Sequence, residues 1–356
     1  MLIPVLILNN IMKTRNLLFI IAFLPMLTAV AQPAFKNSKP AKQSFIAMFY
    51  NVENLYDTVN DPKINDDEFT PSAKVPWTKD RLETKIKHAG KVITDIASPA
   101  MPDLVGFAEI ENLQVLEMLT SSAGLSKTKY SIVHYESPDE RGIDVAMLYN
   151  PATFKVISSE PLHVTLPDND FTRDILHVKG KLNSGETLHV FINHWPSRRE
   201  GSEISASKRM VAAKVLRAKL DAIQKLEKSP NIIILGDFND EPSDKCITEG
   251  LKAVNPDQAI TGNNLYSLLY PEFKNGEGSL FYKDWDLFDQ VIVSGNMLSQ
   301  KKGLRTSVNN AGIFSAEYLL FKNKAGESRP NRTMSGDKYF GGYSDHLPVY
   351  VKLNLN

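Results

Sequence analysis

The feature that most constrains the fold of this chain is its alternation of short β-rich runs with helical stretches. Apolar residues recur at helical spacing over Lys79–Ala97, Asn112–Thr120 and Glu203–Leu226, which predicts three helices. No linker or repeat interrupts the alternation, and Lys301–Met334, which has no clear pattern, is predicted to hold a long loop. The sequence therefore predicts one large α/β domain in which sheets dominate the core. The predicted strands are Phe45–Tyr50, Leu104–Ala108, Ser131–Tyr135, Asp144–Tyr149, Phe154–Ser158, Ile175–Leu182, Thr187–Asn193, Asn231–Leu235, Trp285–Val293 and Pro348–Leu353.

The N-terminal segment is predicted to lie outside this domain. A basic stretch at Met12–Arg15 precedes the apolar run Leu17–Val30, and small residues occupy Ala29 and Ala31. This order is typical of a secretory signal peptide, and it predicts a secreted or periplasmic protein. Translation from Met12 and an uncleaved anchor are the alternatives, although Pro25 inside the apolar run argues against a lasting membrane helix. We expect a signal peptide, a polar tail and a folded domain over residues 1–31, 32–44 and 45–356.

Composition excludes several classes of protein. The chain is 42% hydrophobic and 23% charged, which is typical of a globular protein rather than a disordered or polytopic membrane protein. Its 41 basic and 41 acidic residues cancel, so binding to nucleic acid cannot rest on a bulk basic surplus. The single cysteine, Cys246, excludes an internal disulfide and a cysteine-based zinc cluster. Any phosphate-binding activity must therefore come from local clusters or from a metal ion.

Polar side chains gather at the ends of six predicted strands. Each of them alone has an ordinary explanation as a turn residue, a helix cap or a structural histidine. Their common position carries more weight, because strand ends are where α/β folds hold their ligands. The residues are Asn51, Glu53, Glu109, His194, Asp237, Asn239, Asp289, Asp345 and His346.

The residue types suit the hydrolysis of phosphate esters. Glu109 and Glu53, helped by Asn51, offer the hard oxygen ligands that Mg²⁺, Mn²⁺ or Ca²⁺ prefers, and zinc motifs are absent from the sequence. Asp237 and Asn239 stand two residues apart after a strand and can hold or activate a water molecule. An aspartate such as Asp289 beside an imidazole raises its basicity and fixes its tautomer. A metal ion, an activated water and a cationic histidine are what this chemistry needs.

Arginines are candidates for binding phosphate oxygens. Arg141 leads into one predicted strand, Arg173 leads into another, and Arg198 follows His194 closely. The guanidinium fork matches the geometry of phosphate oxygens. For Arg141 and Arg198 the phosphate-binding and surface interpretations stay open, whereas for Arg199 we favour a solvated surface position.

An acidic block extends from Asp57 to Trp77 and includes Asp61, Asp66 and Glu68. A solvated acidic loop and an incidental Ca²⁺ site are both compatible with it. Similar blocks also occur in proteins that resemble extracellular bacterial nucleases, so the block favours that group.

Six segments, in order along the chain, resemble the motifs of the endonuclease/exonuclease/phosphatase superfamily, which includes deoxyribonuclease I-like nucleases. The resemblance covers nearly the whole chain from Phe45 to Leu353 and extends to exported bacterial nuclease-like members. It implies a four-layer sandwich of two mixed β-sheets flanked by helices, and a Mg²⁺-dependent phosphodiesterase or phosphatase. The segments are Phe49-Tyr50-Asn51-Val52-Glu53-Asn54, Phe107-Ala108-Glu109, Asn193-His194-Trp195-Pro196, Gly236-Asp237-Phe238-Asn239, Phe288-Asp289-Gln290 and Ser344-Asp345-His346.

The resemblance also implies roles for the candidate residues. The metal-side group would be Asn51, Glu53 and Glu109, with Asp345 near it, and Glu53 stands where many members have aspartate. His194 resembles the histidine that protonates the leaving group or holds the phosphate. Asp237 and Asn239 resemble the pair that orients the attacking water. Asp289 and His346 resemble the acid–histidine pair.

Three functions remain open on the sequence alone. The first is a secreted, divalent-metal-dependent endonuclease that hydrolyses DNA or RNA, and the second is a phosphatase or phospholipase of the same fold that acts on inositol phosphates or sphingomyelin. The third, a non-catalytic binding module, is disfavoured because every motif position holds a chemically competent residue. We expect a phosphoester substrate with nucleic acid favoured, no stable membrane anchoring, and a monomer.

Overall fold

Two seven-stranded β-sheets pack face to face in the computed structural model, which describes residues 44–167, 170–199, 201–324 and 326–355. The predicted signal peptide, and the predicted tail up to residue 43, lie outside the described residues. The strands in chain order are β1 (Ser44–Leu55), β2 (Leu104–Ile110), β3 (Ser131–His134), β4 (Asp144–Tyr149), β5 (Phe154–Leu162), β6 (Ile175–Leu182), β7 (Thr187–His194), β8 (Ile232–Asp237), β9 (Ala253–Val254), β10 (Leu265–Ser267), β11 (Leu280–Phe281), β12 (Trp285–Asp286), β13 (Asp289–Ser294), β14 (Leu304–Arg305), β15 (Ala311–Ile313), β16 (Leu320–Lys322), β17 (Ser328–Pro330), β18 (Met334–Ser335), β19 (Lys338–Tyr339) and β20 (Val349–Leu355).

Both sheets are mixed. The first has the order β14-β20-β1-β2-β4-β3, with β15 also paired to β20, and the second has the order β5-β6-β7-β8-β13-β10-β9. Strand β1 runs parallel to β2 and antiparallel to β20, while β7 runs parallel to β8, which is antiparallel to β13. The inner faces bury one apolar core, and at Gly106 the sheets come so close that a Cβ atom would lie 2.5 Å from Ile192.

Helices cover the outer faces. The α-helices are α1 (Lys79–Ile96), α2 (Leu113–Ser121), α3 (Ser202–Leu226), α4 (Tyr270–Lys274) and α5 (Asn296–Ser299), of which the short α4 and α5 pack against the core between the sheets instead. The apolar faces of α1 and α2 pack on the first sheet, and α3 packs on the second. Asn112 starts α2 by accepting a hydrogen bond from the Val115 N–H at 3.0 Å. The predicted four-layer sandwich is therefore confirmed. In the part of the chain that the structure describes, no helix is long and apolar enough to cross a lipid bilayer.

The prediction that Lys301–Met334 holds a long loop is wrong in one respect, because that stretch contains β14 to β17 and the start of β18. These strands have two or three residues each, which is too short for an alternating pattern to be recognised. The predicted strand Trp285–Val293 is likewise divided into β12 and β13.

Strand β1 continues past the predicted end at Tyr50, and its last residues form an irregular rim with β2. The register between β1 and β2 shifts after Asn51, and the register between β2 and β4 shifts after Ala108. Glu53 and Glu109 sit in these irregularities with φ angles of 53° and 63°. A left-handed backbone is costly for residues other than glycine, and such positions concentrate at functional sites.

Candidate active site

Asp237, the last residue of β8, lies at the centre of a buried polar cluster. Its Oδ2 accepts a hydrogen bond from Asn51 Nδ2 at 3.1 Å, and it lies 3.7 Å from His194 Nε2 and 3.8 Å from His346 Nε2. Its Oδ1 accepts the N–H of Asn239 at 2.9 Å. The ends of β1, β7 and β8 and the segment before β20 therefore meet at one rim, as the strand-end pattern predicts.

His346 is held by an aspartate on the far side of its ring. Asp289 Oδ2 lies 2.7 Å from His346 Nδ1, and Asp289 is the register partner of Asp237 across β13 and β8. Ser344 fixes the backbone here, since its hydroxyl donates to Asn51 O and accepts the His346 N–H. Burial opposes a charge on His346, but the carboxylates of Asp289 and Asp237 more than offset it and hold the pKa of His346 well above its usual value. These carboxylates therefore favour the imidazolium form of His346.

The surroundings of His194 favour the opposite, neutral form of the imidazole. Burial, followed by the positive charges of Arg173 and Arg141, holds the pKa of His194 well below its usual value. Its Nδ1 has no hydrogen-bond partner among the described residues. Two imidazoles whose pKa values are shifted in opposite directions thus flank Asp237, which is the kind of division that an acid–base pair needs.

The carboxyl of Asp237 is itself perturbed. Burial raises its pKa to about 6, with the charge of His346 opposing that rise and the charge of Asp289 adding to it. Ligand atoms of Asp237, Asp289 and His346 lie within 4.8 Å of one another. Because both nitrogens of the His346 imidazolium face these carboxylates, the trio suits internal charge compensation better than the binding of a metal ion.

Glu109 is better placed than this trio to bind a metal ion. Its Oε2 accepts the Asn54 N–H at 2.9 Å, and its Oε1 lies 4.0 Å from His194 Nε2. Glu109 and Asp345 are 14% and 24% exposed, and both line a cavity of about 360 Å³. Their carboxylates are hard oxygen donors, so these residues fit a divalent cation such as Mg²⁺, while the Asn51 amide oxygen accepts the Glu53 N–H at 3.0 Å.

Glu53 was predicted to be a metal ligand, but its carboxylate is hydrogen-bonded to the protein instead. Its Oε2 accepts the Thr333 N–H at 2.5 Å, and its Oε1 accepts the Met334 N–H at 3.2 Å and Arg332 Nε at 3.4 Å. Burial, followed by repulsion from Asp345, raises the pKa of Glu53 to about 7. These contacts tie β1 to the segment before β18, so Glu53 acts as an anchor for that segment.

Lys85 binds the same segment that Glu53 anchors. Sequence analysis did not identify Lys85 as part of the site. The side chain of Lys85 is buried on α1, and its Nζ donates to Tyr343 O at 2.8 Å and to the Thr333 hydroxyl. Burial lowers its pKa, while the charge of Glu53 opposes that change. A buried cation beneath a buried carboxylate reduces the cost of burying both.

Arg198 does not face the rim as predicted for a phosphate ligand. Its Nη2 lies 3.0 Å from Asp240 Oδ1 and 2.6 Å from Asp244 Oδ2, and its Nε donates to Asn239 O at 2.7 Å. Two carboxylates therefore already neutralise this guanidinium. Its role is to hold the loop after β8, which carries Asn239 with a φ angle of 49°.

Arg173 is also committed to the protein, whereas Arg141 stays near the rim. Arg173 is buried and donates to Asp139 Oδ2 at 3.0 Å and to Trp195 O at 2.7 Å. Arg141 is half-buried and donates to Asn54 Oδ1 at 2.5 Å. Both charges lower the pKa of His194, so both act on the site through its electrostatic field.

Two other arginines line the cavity that Glu109 and Asp345 share. Arg199, for which a surface position was favoured, follows Arg198 directly, and Arg332 lies in the stretch predicted as a loop. Arg332 Nη2 donates to Asp345 Oδ2 at 2.9 Å. No sequence pattern indicates Arg332, because its place at the site depends on how the segment before β18 is anchored.

Comparisons with known proteins support the same fold. The sequence matches the family described as "Endonuclease/Exonuclease/phosphatase family" over residues 46–355. Similar solved structures include TDP2 of D. rerio with a single-strand DNA product (14% identity, TM-score 0.53, 87% of this chain and 99% of that chain). An endonuclease/exonuclease/phosphatase family protein of Bacteroides thetaiotaomicron is similar too (14% identity, TM-score 0.53, 88% of this chain and 99% of that chain). The human nocturnin catalytic domain with a bound sulfate is also similar (15% identity, TM-score 0.54, 88% of this chain and 95% of that chain). Among curated proteins, no match to the sequence was found.

Proposed function

Because the chain belongs to the endonuclease/exonuclease/phosphatase family, we propose that it is a divalent-metal-dependent phosphodiesterase that hydrolyses nucleic acid. One observation carries the proposal. His194 and His346, whose pKa values are shifted in opposite directions, flank Asp237 within 4 Å, and Glu109 lies 4.0 Å from His194. This is a buried acid–base pair next to oxygen ligands for a cation, and in-line displacement at phosphorus needs both.

Glu109 would hold the metal ion, with Asp345 completing the protein's share of its ligands. When bound, Mg²⁺, Mn²⁺ or Ca²⁺ supplies positive charge to the phosphoryl oxygens and orients the substrate. The Asn54 N–H holds Glu109 Oε2, so that Oε1 is directed toward His194 and the rim. The left-handed backbone at Glu109 keeps this side chain at the strand end.

Asp237 would act on the attacking water. Its carboxylate is fixed by Asn51 and by the Asn239 N–H, and a pKa of about 6 makes it a stronger base than an exposed aspartate. It accepts a proton as the water oxygen bonds to phosphorus. His346 Nε2 carries the proton that the leaving oxygen needs when its bond to phosphorus breaks, and Asp289 keeps that imidazolium oriented. His194 would contact a phosphoryl oxygen.

The choice of nucleic acid rests on the family and on similar structures. The D. rerio TDP2 structure contains a single-strand DNA product, and the human nocturnin structure contains a sulfate. A phosphatase or phospholipase acting on a small phosphoester is the second candidate. The zero net charge favours it, because nonspecific nucleic-acid binding usually relies on excess positive charge.

A substrate panel tests both candidates. The full chain would be incubated with Mg²⁺ or EDTA and with plasmid DNA, RNA, bis(p-nitrophenyl) phosphate, sphingomyelin and inositol phosphates. We expect EDTA-sensitive cleavage of DNA or RNA that weakens steeply as salt is added. Release from sphingomyelin or inositol phosphates without cleavage of nucleic acid would move the protein to the second candidate. Glu109→Gln, prepared in parallel, controls for contaminating nucleases.

We also propose that the protein is exported, on the basis of the basic and apolar order of residues 12–31. N-terminal sequencing of protein recovered from the periplasm or medium of a bacterial host should begin at Gln32. Recovery of the intact N-terminus from the cell interior would contradict export.

A further inference from the structure

The cavity of about 360 Å³ beside the candidate site has a chemistry of its own. It opens between the segment that ends at Trp77 and the β18–β19 hairpin. Glu109 and Asp345 form its inner end, and the guanidinium groups of Arg199 and Arg332 also line it. Two arginines that come from different parts of the fold therefore reach the same cavity next to the reacting position.

The Arg332 guanidinium is held by two carboxylates, but one of its nitrogens has no partner among the described residues. Its Nε lies 3.4 Å from Glu53 Oε1 and its Nη2 lies 2.9 Å from Asp345 Oδ2. Its Nη1 makes no hydrogen bond to any residue in the described ranges, and 43% of the side chain is exposed. The Glu53 carboxylate also binds the next two backbone N–H groups. Arg332, like Arg198, is paired with two carboxylates, but its guanidinium lines the cavity and its Nη1 is available to a ligand there.

Arg199 approaches from the second sheet, just after β7. Its side chain is exposed, and within the described part of the chain it forms no ion pair or side-chain hydrogen bond. It nevertheless lies close enough to His194 for its charge to lower the pKa of that histidine. Its neighbour Arg198 is neutralised by two aspartates, so Arg199 is the cation of this pair that remains available for a ligand.

Four of the five acidic residues that line the cavity have partners of their own, and the exposed side chain of Glu68 forms no ion pair or hydrogen bond with any described residue. Glu53 accepts three hydrogen bonds from the segment before β18, and Asp337 pairs with Lys74 at 2.5 Å. Glu109 and Asp345 are the carboxylates assigned above to the cation. A bound divalent cation would offset the charges of Glu109 and Asp345, so the binding of an anionic ligand in this cavity would depend on the metal.

We propose that this cavity is a subsite for a second phosphate of the substrate, next to the scissile one, with Arg199 and Arg332 as its ligands. The proposal rests on the proposed function and narrows its substrate class to chains that carry adjacent phosphates. Two guanidinium forks suit the several oxygens of a phosphate. Phe69, Val75 and Met334 add an apolar wall on which a sugar or base can pack.

A binding experiment tests the subsite without requiring turnover. The full chain with Mg²⁺ would be titrated by calorimetry with thymidine 3′,5′-bisphosphate and with each thymidine monophosphate. We expect the bisphosphate to bind roughly 10-fold more tightly, the scale of one charge-assisted hydrogen bond. Arg199→Gln and Arg332→Gln should each reduce that preference to about twofold or less. Arg217→Gln on α3, which removes an arginine paired with Asp221, is the matched control and should keep it.

A hydrolysis experiment separates this inference from the function on which it rests. Thymidylyl-thymidine would be compared with the same dinucleotide carrying a terminal phosphate at either end. Faster hydrolysis of one phosphorylated form, with the preference reduced in Arg199→Gln, supports the subsite. Equal rates for all forms, together with equal binding of mono- and bisphosphate, overturn it while leaving the phosphodiesterase intact. Preferential binding without any metal-dependent hydrolysis supports the subsite and overturns the proposed reaction. Absence of both overturns both.

Discussion

Strand β7 carries two buried histidines whose surroundings differ sharply. His189 faces α3, where its Nδ1 lies 3.0 Å from His177 Nε2 and its Nε2 lies 3.2 Å from both carboxylate oxygens of Glu227. His177 in turn lies 2.9 Å from Glu160 Oε1. We refer to His177 and His189 as the outer histidine pair. Every ring nitrogen of this pair has a partner.

His194 lies five positions later, at the end of the same strand and on the inner side. Its Nδ1 has no hydrogen-bond partner among the described residues, and neither does Asp289 Oδ1 in the same cluster. Three aspartates, at positions 237, 289 and 345, surround His346 within 4 Å. Buried polar groups in a purely structural cluster satisfy one another, whereas unpaired atoms and crowded like charges indicate a place for ligands. The comparison therefore separates a structural cluster from the candidate catalytic one.

Of the substitutions that test the difference between the two clusters, we expect the largest change in hydrolysis rate at Glu109. Glu109→Gln removes the charge of the candidate metal ligand, and we expect metal-dependent phosphodiester hydrolysis to fall by roughly 10³-fold. Calorimetry should show a matching loss of Mg²⁺ affinity. Glu227→Gln is the same substitution beside the outer histidine pair and should leave the rate within about twofold, because it is remote from the rim. Equal losses in the two variants would contradict the separation.

The next largest effect concerns the histidines themselves. His346→Gln removes the proton donor, and His194→Gln removes the neutral imidazole, so each should lower kcat by roughly 10²-fold or more. His189→Gln on the same strand should keep the wild-type rate at a temperature where the variant remains folded, as monitored by circular dichroism. A wild-type rate in His346→Gln would remove that residue from the catalytic group.

Much of the fold followed from the sequence because its long elements have strong periods. Strands Asp144–Tyr149 and Ile175–Leu182 have the predicted bounds, and the predicted helix over Lys79–Ala97 ends one residue earlier. The extension of β1 past Tyr50 was missed, because a strand that shifts register and adopts positive φ angles has no alternating pattern. Elements of two or three residues are missed for the same reason.

The composition of the site was predictable, but the partners of its charges were not. Strand ends brought Asn51, Asp237 and His346 together because the sheet geometry fixes where ends meet. Which of two adjacent arginines meets a carboxylate depends on the loop after β8, which supplies Asp240 to Arg198 and leaves Arg199 at the cavity. Such pairings are tertiary, and residue type and spacing do not encode them.

The pH dependence of the rate sharpens the comparison further. His346 must be protonated, so activity should be present below its raised pKa and lost as pH rises through it. Asp237 must be ionised, so activity should fall as pH drops through about 6. Asp289→Asn removes a charge that raises both pKa values, and both limbs of the pH–rate profile should move to lower pH. We expect the alkaline limb to move by about one unit or more.

Glu227→Gln serves as the control for that profile, since among the described residues its carboxylate contacts His189 of the outer histidine pair and Lys179, both remote from the rim. Its limbs should coincide with those of the wild type. An alkaline limb that stays in place in Asp289→Asn would show that the imidazolium of His346 is not what limits the rate at high pH.

The smallest effect is one of stability and belongs to the outer histidine pair. Burial lowers the pKa of His177 to about 4, and hydrogen bonds at both ring nitrogens suit its neutral form. The unfolded chain binds a proton near pH 6.5, so the folded state should lose stability as pH falls from about 6.5 toward 4, by at most about 1.4 kcal/mol per pH unit. Urea unfolding of wild type and His177→Gln at pH 7 and pH 5 measures this difference. The variant should lose less stability than the wild type between the two pH values, and equal losses would show that His177 is not buried as a neutral group.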